Sequence, residues 1–208
     1  LKPVRIYVMG EVGQPGGYTT SSYATAFNAL YSVGGPLISG SLRDVKVFRD
    51  NKEAASVDIY EYLLKGTASK DERLQNNDVI FIPPRHKSVA IQGQVLRPAV
   101  YELKDNEGLE ELISFAGGLL ATSLASRAHV VRVVPVDTRQ PHGPNHVVED
   151  VDLKKVMGGK APFELCDLDR VMVFKAFEDL SNFVTLSGEV KYPGQYQVES
   201  LKLRELVF

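Results

Sequence analysis

The chain has 208 residues and a mass of 22.9 kDa, room for one large domain or two of about 100 residues each. Its 24 Lys+Arg against 26 Asp+Glu leave a net charge of -2, which argues against a dedicated nucleic-acid binder because displacing phosphate counterions takes a basic excess. With 44% hydrophobic and 24% charged residues, no bilayer-length apolar run and Cys166 as the single cysteine, the composition fits a globular chain and excludes an internal disulfide or a cysteine-rich zinc site.

Val4, Ile6 and Val8 alternate on one face of a predicted strand that runs into Gly10-Glu11-Val12-x2-Pro15-Gly16-x-Tyr18. This pattern predicts a hairpin. The glycine admits a bulge or a close backbone approach, the proline pre-sets φ at the turn, and the tyrosine opens the return strand. Ala26, Ala29, Leu30 and Val33 follow at i, i+3, i+4 and i+7, a helical stripe that ends on Gly34-Gly35, where a helix C-terminus needs positive φ. Val45–Phe48 reads as a strand, Val57-Asp58-Ile59 leads through Leu63 to Gly66 as a short helix, and Leu74-x3-Asp78 introduces a closing strand, Val79–Ile82.

The same order then recurs. Gly93, Val95, Pro98 and Tyr101 repeat the hairpin 83 residues on, and Gly188, Val190, Pro193 and Tyr196 repeat it after a further 95. Leu109, Leu112, Ile113 and Ala116 restate the helical stripe ahead of Gly117-Gly118. Val130–Val133, then Val151-Asp152-Leu153 leading to Gly158, and Leu165-x3-Asp169 with Val171–Phe174 complete the second copy. The third begins its stripe at Leu203, Leu206 and Val207 and stops at Phe208 inside it, so the chain is expected to be a piece of a longer protein. The extra length of the second copy falls in 135–146, rich in Pro and Gly and expected to be a protruding loop.

These elements predict an α+β fold of tandem β-grasp (ubiquitin-like) units, each a mixed sheet with one main helix packed across it. The expected units are 1–84, 85–178 with its inserted loop, and 179–208 as the start of a third.

Chemistry-bearing groups are sparse. His142-x3-His146 is interrupted by Pro144 and reads as a solvated loop, so no metal is expected. Cys166 lies among Glu164, Asp167 and Asp169, which oppose a thiolate, and is expected to be a buried or half-buried structural residue. Glu11 and Glu189 face Gln94 at the equivalent position, and since Gln does not titrate, a hydrogen-bonding role fits better than acid–base work. Asp78 and Asp169 are expected to cap turns. The glycines of 10–17 lie in a hairpin, outside the strand-to-helix setting of a phosphate loop. No catalytic residue and no cofactor is expected. Arg97 and Lys191 share a hairpin-tip position and, with the recurrent Tyr101, are the candidate contacts to an acidic polymer or a neighbouring subunit. The competing readings are a solvated tip for the cations and a packing role for the tyrosine.

The repeated Gly-(Glu/Gln)-Val-x2-Pro-x2-Tyr, the helix ending in Gly-Gly and the closing Leu-x3-Asp-x-(Val/Ile) strand resemble the soluble-ligand-binding β-grasp (SLBB) repeats of outer-membrane polysaccharide export proteins. The resemblance spans residues 4–83 and 88–175 and the start of a unit over 183–208. It implies a non-enzymatic periplasmic segment, associated with the outer membrane through parts outside this sequence. Its implied partners are a polysaccharide, further copies in a homo-oligomeric ring, and an inner-membrane chain-length regulator or kinase, with no nucleic acid. The alternative it implies is a soluble-ligand-binding or partner-docking module uninvolved in export.

Overall fold

The computed structural model describes residues 2–67, 71–140, 142–177 and 182–197. Strand β1 (Pro3–Gly10) buries Val4, Ile6 and Val8 and turns Arg5 and Met9 outward, as period-2 alternation requires. It folds back on β2 (Gly16–Ser21) as an antiparallel hairpin, with Ile6 opposite Tyr18. Helix α1 (Ala26–Ser32) starts at Thr25, whose Oγ1 accepts from the Asn28 N–H while the Asn28 side chain accepts from the Thr25 N–H, a reciprocal cap. It ends on Gly34 and Gly35, both at positive φ. β3 (Val45–Arg49), β4 (Lys52–Val57), a π-helical turn (Glu61–Lys65) and β5 (Val79–Ile82) complete the first repeat. The sheet order is β2-β1-β5-β3-β4, parallel only between β1 and β5.

The second repeat rebuilds this plan. β6 (Lys87–Gly93), β7 (Ala99–Leu103), α2 (Leu109–Phe115), β8 (Ser123–Val133), β9 (His146–Val151), α3 (Leu153–Met157) and β10 (Arg170–Lys175) form a sheet of order β7-β6-β10-β8-β9. Again the parallel pair is the first and last strand, β6 with β10. In each repeat the helix stripe shares one apolar core with the sheet: Ala26, Ala29 and Leu30 with Ile6, Val8 and Ile80, and Leu109, Leu112 and Ile113 with Val89, Ile91 and Val171. These are two mixed sheets with helices across them, the tandem β-grasp architecture.

Residues 1–175 form one compact unit and 176–208 another. In the second, β11 (Phe183–Leu186) and β12 (Gly194–Gln197) pair as an antiparallel hairpin. The expected stripe at Leu203, Leu206 and Val207 lies outside the described residues.

The backbone equivalence is closest at the glycines. Gly10 and Gly93 have φ of 90° and 87°, and a Cβ added to either overlaps a carbonyl oxygen, that of Ile82 or of Val173. The next residue donates its N–H to that same carbonyl in both repeats. Only glycine fits where β1 and β6 bend across the closing strand. Val47 pairs with Ile80 and Val130 with Val171, so Val47 and Val130 are equivalent across the repeat. One expectation is corrected. Cys166 is exposed rather than buried. Its backbone makes the turn, the N–H donating to the Asp169 carboxylate at 2.8 Å and the carbonyl accepting the Asp169 N–H at 3.3 Å, so the turn places no demand on the thiol.

Candidate functional site

Each repeat is fastened internally by a buried carboxylate. Asp78 is fully buried, receives Arg49 Nε at 2.9 Å and Nη2 at 2.8 Å, and accepts the Gln75 N–H at 2.7 Å. Asp169, equally buried, receives Arg132 Nε at 3.2 Å and Nη2 at 2.8 Å and the Cys166 N–H. The turn capping expected of both aspartates is present, and the bidentate arginine is an addition. Arg49 and Arg132 stand 83 residues apart, the spacing of Gly10 and Gly93, so the signal was present in the sequence. The Glu11/Gln94 position has an equally plain account. Glu11 accepts a hydrogen bond from Ser39 Oγ, and Gln94 Oε1 accepts one from Thr122 Oγ1 at 2.6 Å, in each case 28 residues downstream. An acceptor oxygen is all the site needs, and either side chain supplies it.

The recurrent tyrosines also act alike. The hydroxyls of Tyr18, Tyr101 and Tyr196 donate to the carbonyl four residues back, those of Gln14, Arg97 and Tyr192, at 2.7, 2.8 and 2.6 Å. Each ties the return strand to its own hairpin tip. Tyr101 and Arg97 are thus joined, and the Arg97 guanidinium reaches the Phe115 carbonyl at 3.0 Å while the residue stays exposed. Lys191, in the unit of residues 176–208, holds its Nζ 5.6 Å from the Tyr192 ring centre.

Between the two repeats lies a polar junction whose residues, Asp58 apart, do not repeat. Arg43, 6% exposed, donates Nε to Asp58 and its Nη1 and Nη2 to Glu107 at 2.7 and 2.9 Å. Nη1 also donates to the Glu102 carbonyl at 3.1 Å, and the guanidinium lies over the rings of Tyr60 and Phe115, 4.7 and 4.9 Å from their centres. The Glu102 carboxylate accepts from Ser41 Oγ, the Leu42 N–H and the His86 N–H, and the Glu102 N–H donates to the Tyr60 hydroxyl oxygen. Tyr60 belongs to the first repeat by sequence and to the core of the second by packing. The segment joining the repeats is itself tied back, with the Ser41 N–H on the Pro83 carbonyl and the Arg85 N–H on the Ser39 carbonyl. Burial pushes against the charge of Arg43, but Glu107 and Asp58 outweigh it and raise its pKa above the usual value. Burial likewise opposes the charge of Glu107, and hydrogen bonds from Arg43 and the Lys104 N–H outweigh it, holding that carboxyl below the ordinary carboxylate range. Burial raises the Tyr60 phenol.

Beside this junction a cleft of about 350 Å³ opens, walled by Leu37, Ile38 and Val100 and including Arg85, Ser88 and Tyr101. Among the described residues no cluster of His, Cys, Asp and Glu is arranged to hold a metal, and no helix is long and apolar enough to cross a membrane.

Comparison with known proteins matches SLBB domain models to residues 4–82 and to residues 88–149. Together they span more than half of the sequence, and each begins inside the first strand of a repeat. The chain belongs to the SLBB-domain family. Two curated relatives, both the polysialic acid transport protein KpsD of Escherichia coli, are each 30% identical to it over 117 residues. That match covers 55% of this chain and 21% of either relative, so the chain spans about a fifth of the relatives it matches. The second SLBB match stops at residue 149, whereas the repeat geometry continues through α3 and β10 to Lys175.

Proposed function

We propose that this chain is a non-enzymatic periplasmic segment of a bacterial capsule or exopolysaccharide export protein. It is held at the outer membrane by parts outside these residues, and its SLBB units pack side by side into an oligomeric ring that passes the polymer. The observation that carries this reading is the pair of SLBB repeats, similar in sequence to a polysialic acid transport protein, fused by a buried polar junction. A stiff tandem unit suits a wall that must hold its shape while a long hydrophilic chain moves past. In this reading the units run 1–84, 85–178 and 179–208. Arg97 and Lys191, at equivalent hairpin tips, meet polymer or a neighbouring copy, with Tyr101 bracing the first of these tips. An inner-membrane chain-length regulator or kinase is the further partner.

Deleting residues 1–175 from the chromosomal gene of the producing bacterium is expected to abolish surface polysaccharide while polymer accumulates inside. Unchanged surface polymer overturns the reading. Light scattering of the full-length protein in detergent is expected to give a multiple of the monomer mass, and a strict monomer removes the ring.

A further inference from the structure

The inter-repeat cleft carries two groups that the fold leaves unused. Ser88 lines it, is 4% exposed, and its Oγ has no hydrogen-bond partner among the described residues. A buried hydroxyl left unpaired is costly and uncommon in a native fold. Arg85 lines the cleft too, and among the described residues its guanidinium makes no hydrogen bond or ion pair, whereas Arg43 of the junction makes several. Neither group follows from the repeat pattern, because Ser88 takes the place of Arg5 and Arg85 that of Lys2, both exposed in the first repeat. The other wall is apolar: Leu37 and Ile38, 48% and 88% exposed, face the cleft with Val100 at 60%. A volume of about 350 Å³ is at the lower end for small-ligand sites.

We propose that this cleft is a binding subsite for one carboxylated sugar unit of the polymer, its carboxylate on Arg85, a ring hydroxyl on Ser88 Oγ and its C–H face on Leu37, Ile38 and Val100. The inference rests on the polysaccharide-export reading and names the class of polymer. A planar guanidinium pairs with a carboxylate in two parallel hydrogen bonds, and a neutral sugar leaves it as it is now. The Glu102 carboxylate also borders the cleft, but it is 6% exposed and turned onto Ser41, Leu42 and His86. The ligand's charge therefore belongs at the Arg85 end. A single open subsite of this kind holds its ligand weakly, and a chain in transit requires that.

The test is titration of the isotope-labelled 208-residue chain with tetragalacturonate, followed by the backbone amides of Ile38, Arg85, Ser88 and Val100. The uronate is expected to move these amides. Its methyl ester and the variant Arg85→Gln should each weaken binding about tenfold, the scale of one charge-assisted contact. Ser88→Ala gives a signature that a purely structural serine does not, because it should raise the melting temperature by removing an unpaired hydroxyl and weaken uronate binding severalfold. Equal binding of ester and acid, equal binding of a tetraglutamate peptide, or shifts confined to other surfaces each overturn the subsite. A silent cleft in a protein whose deletion still blocks surface polymer overturns this inference alone. A responsive cleft in a protein dispensable for surface polymer supports the subsite and removes export.

Discussion

The two SLBB repeats agree where each holds itself together and differ where they meet. Gly10 and Gly93, Asp78–Arg49 and Asp169–Arg132, and the hydroxyls of Tyr18 and Tyr101 are pairwise equivalent in backbone, partners and distance. Apart from Asp58, which corresponds to Asp152, the junction groups have no such counterparts. At the 83-residue spacing Arg43 maps onto Ser126, while Glu102 and Glu107 map back onto Thr19 and Ala24. Tyr60, which enters the second core, corresponds to the exposed Lys154 when Asp58 is matched to Asp152. The turn carrying Tyr60 is π-helical and two residues longer between Asp and Gly than α3 and its flanks. The repeated residues make a unit, and the unrepeated ones decide how one unit is set against the next.

The sharpest way to break this comparison is to remove Arg43. Arg43→Met leaves the half-buried Glu107 without its guanidinium and Asp58 with Lys104 alone, and losing the central member of a largely buried ionic cluster costs about 3 kcal/mol, the lower end for a buried pair. Denaturant unfolding followed by a probe in each repeat is expected to change from one shared transition to two. If Arg43→Met unfolds in a single transition at unaltered midpoint, the junction does not couple the repeats. Gly10→Ala and Gly93→Ala come next. Each forces a Cβ onto a carbonyl at positive φ, a strain of about 2–3 kcal/mol, and equivalence requires the two losses to match within about 0.5 kcal/mol. A harmless Gly93→Ala beside a damaging Gly10→Ala would end the structural equation of the repeats.

The junction also titrates, with a smaller effect than deletion. Glu107 has a folded pKa below its ordinary 4.5, so its contribution is complete above that value and is lost as pH falls through the depressed folded value. Tyr60 has a folded pKa above its ordinary 10.0, so its contribution is complete below that value and is lost as pH rises through the raised one. Repeat-to-repeat coupling is therefore expected to be strongest, and the unfolding midpoints of the two repeats closest together, between about pH 5 and pH 9. Glu107→Gln should flatten the acid limb alone.

How much of this could be read from the sequence follows the same division. Val4, Ile6 and Val8, and the stripe of Ala26, Ala29 and Leu30, declare their faces through periodicity, and the hairpins declare themselves through Gly, Pro and Tyr at repeated offsets. The Asp78–Arg49 fastening is legible in principle, because Arg49 and Arg132 stand at the same 83-residue spacing as Gly10 and Gly93. The junction was not legible by comparing repeats, because Arg43, Tyr60 and Glu102 are the residues that depart from the repeat, and their proximity depends on a packing angle that no local pattern encodes. Ser88 and Arg85 went unread for a related reason. A serine on a strand and an arginine in a connection are ordinary until burial strands the hydroxyl and the cation finds no partner among the described residues.

The mildest test concerns a place where the repeats share a conformation without sharing a residue suited to it. Asn77 and Leu168 precede the buried Asp78 and Asp169, have φ of 69° and 65°, and donate their N–H groups to the Arg5 and Ser88 carbonyls at 2.7 and 2.8 Å. Asparagine visits the left-handed region readily, whereas leucine strains its Cβ against the backbone at a cost of about 1–2 kcal/mol. Leu168 is 55% exposed, so little packing is lost on replacing it. Leu168→Asn, which copies the first repeat into the second, is therefore expected to stabilise the second repeat by about 0.5–1 kcal/mol. The reverse exchange, Asn77→Leu, should destabilise the first by a similar amount, both measured as midpoint shifts of the corresponding transition. Opposite signs of comparable size are the outcome equivalence demands. If both exchanges destabilise, the turns are alike in backbone only, and each is tuned to neighbours it does not share with the other.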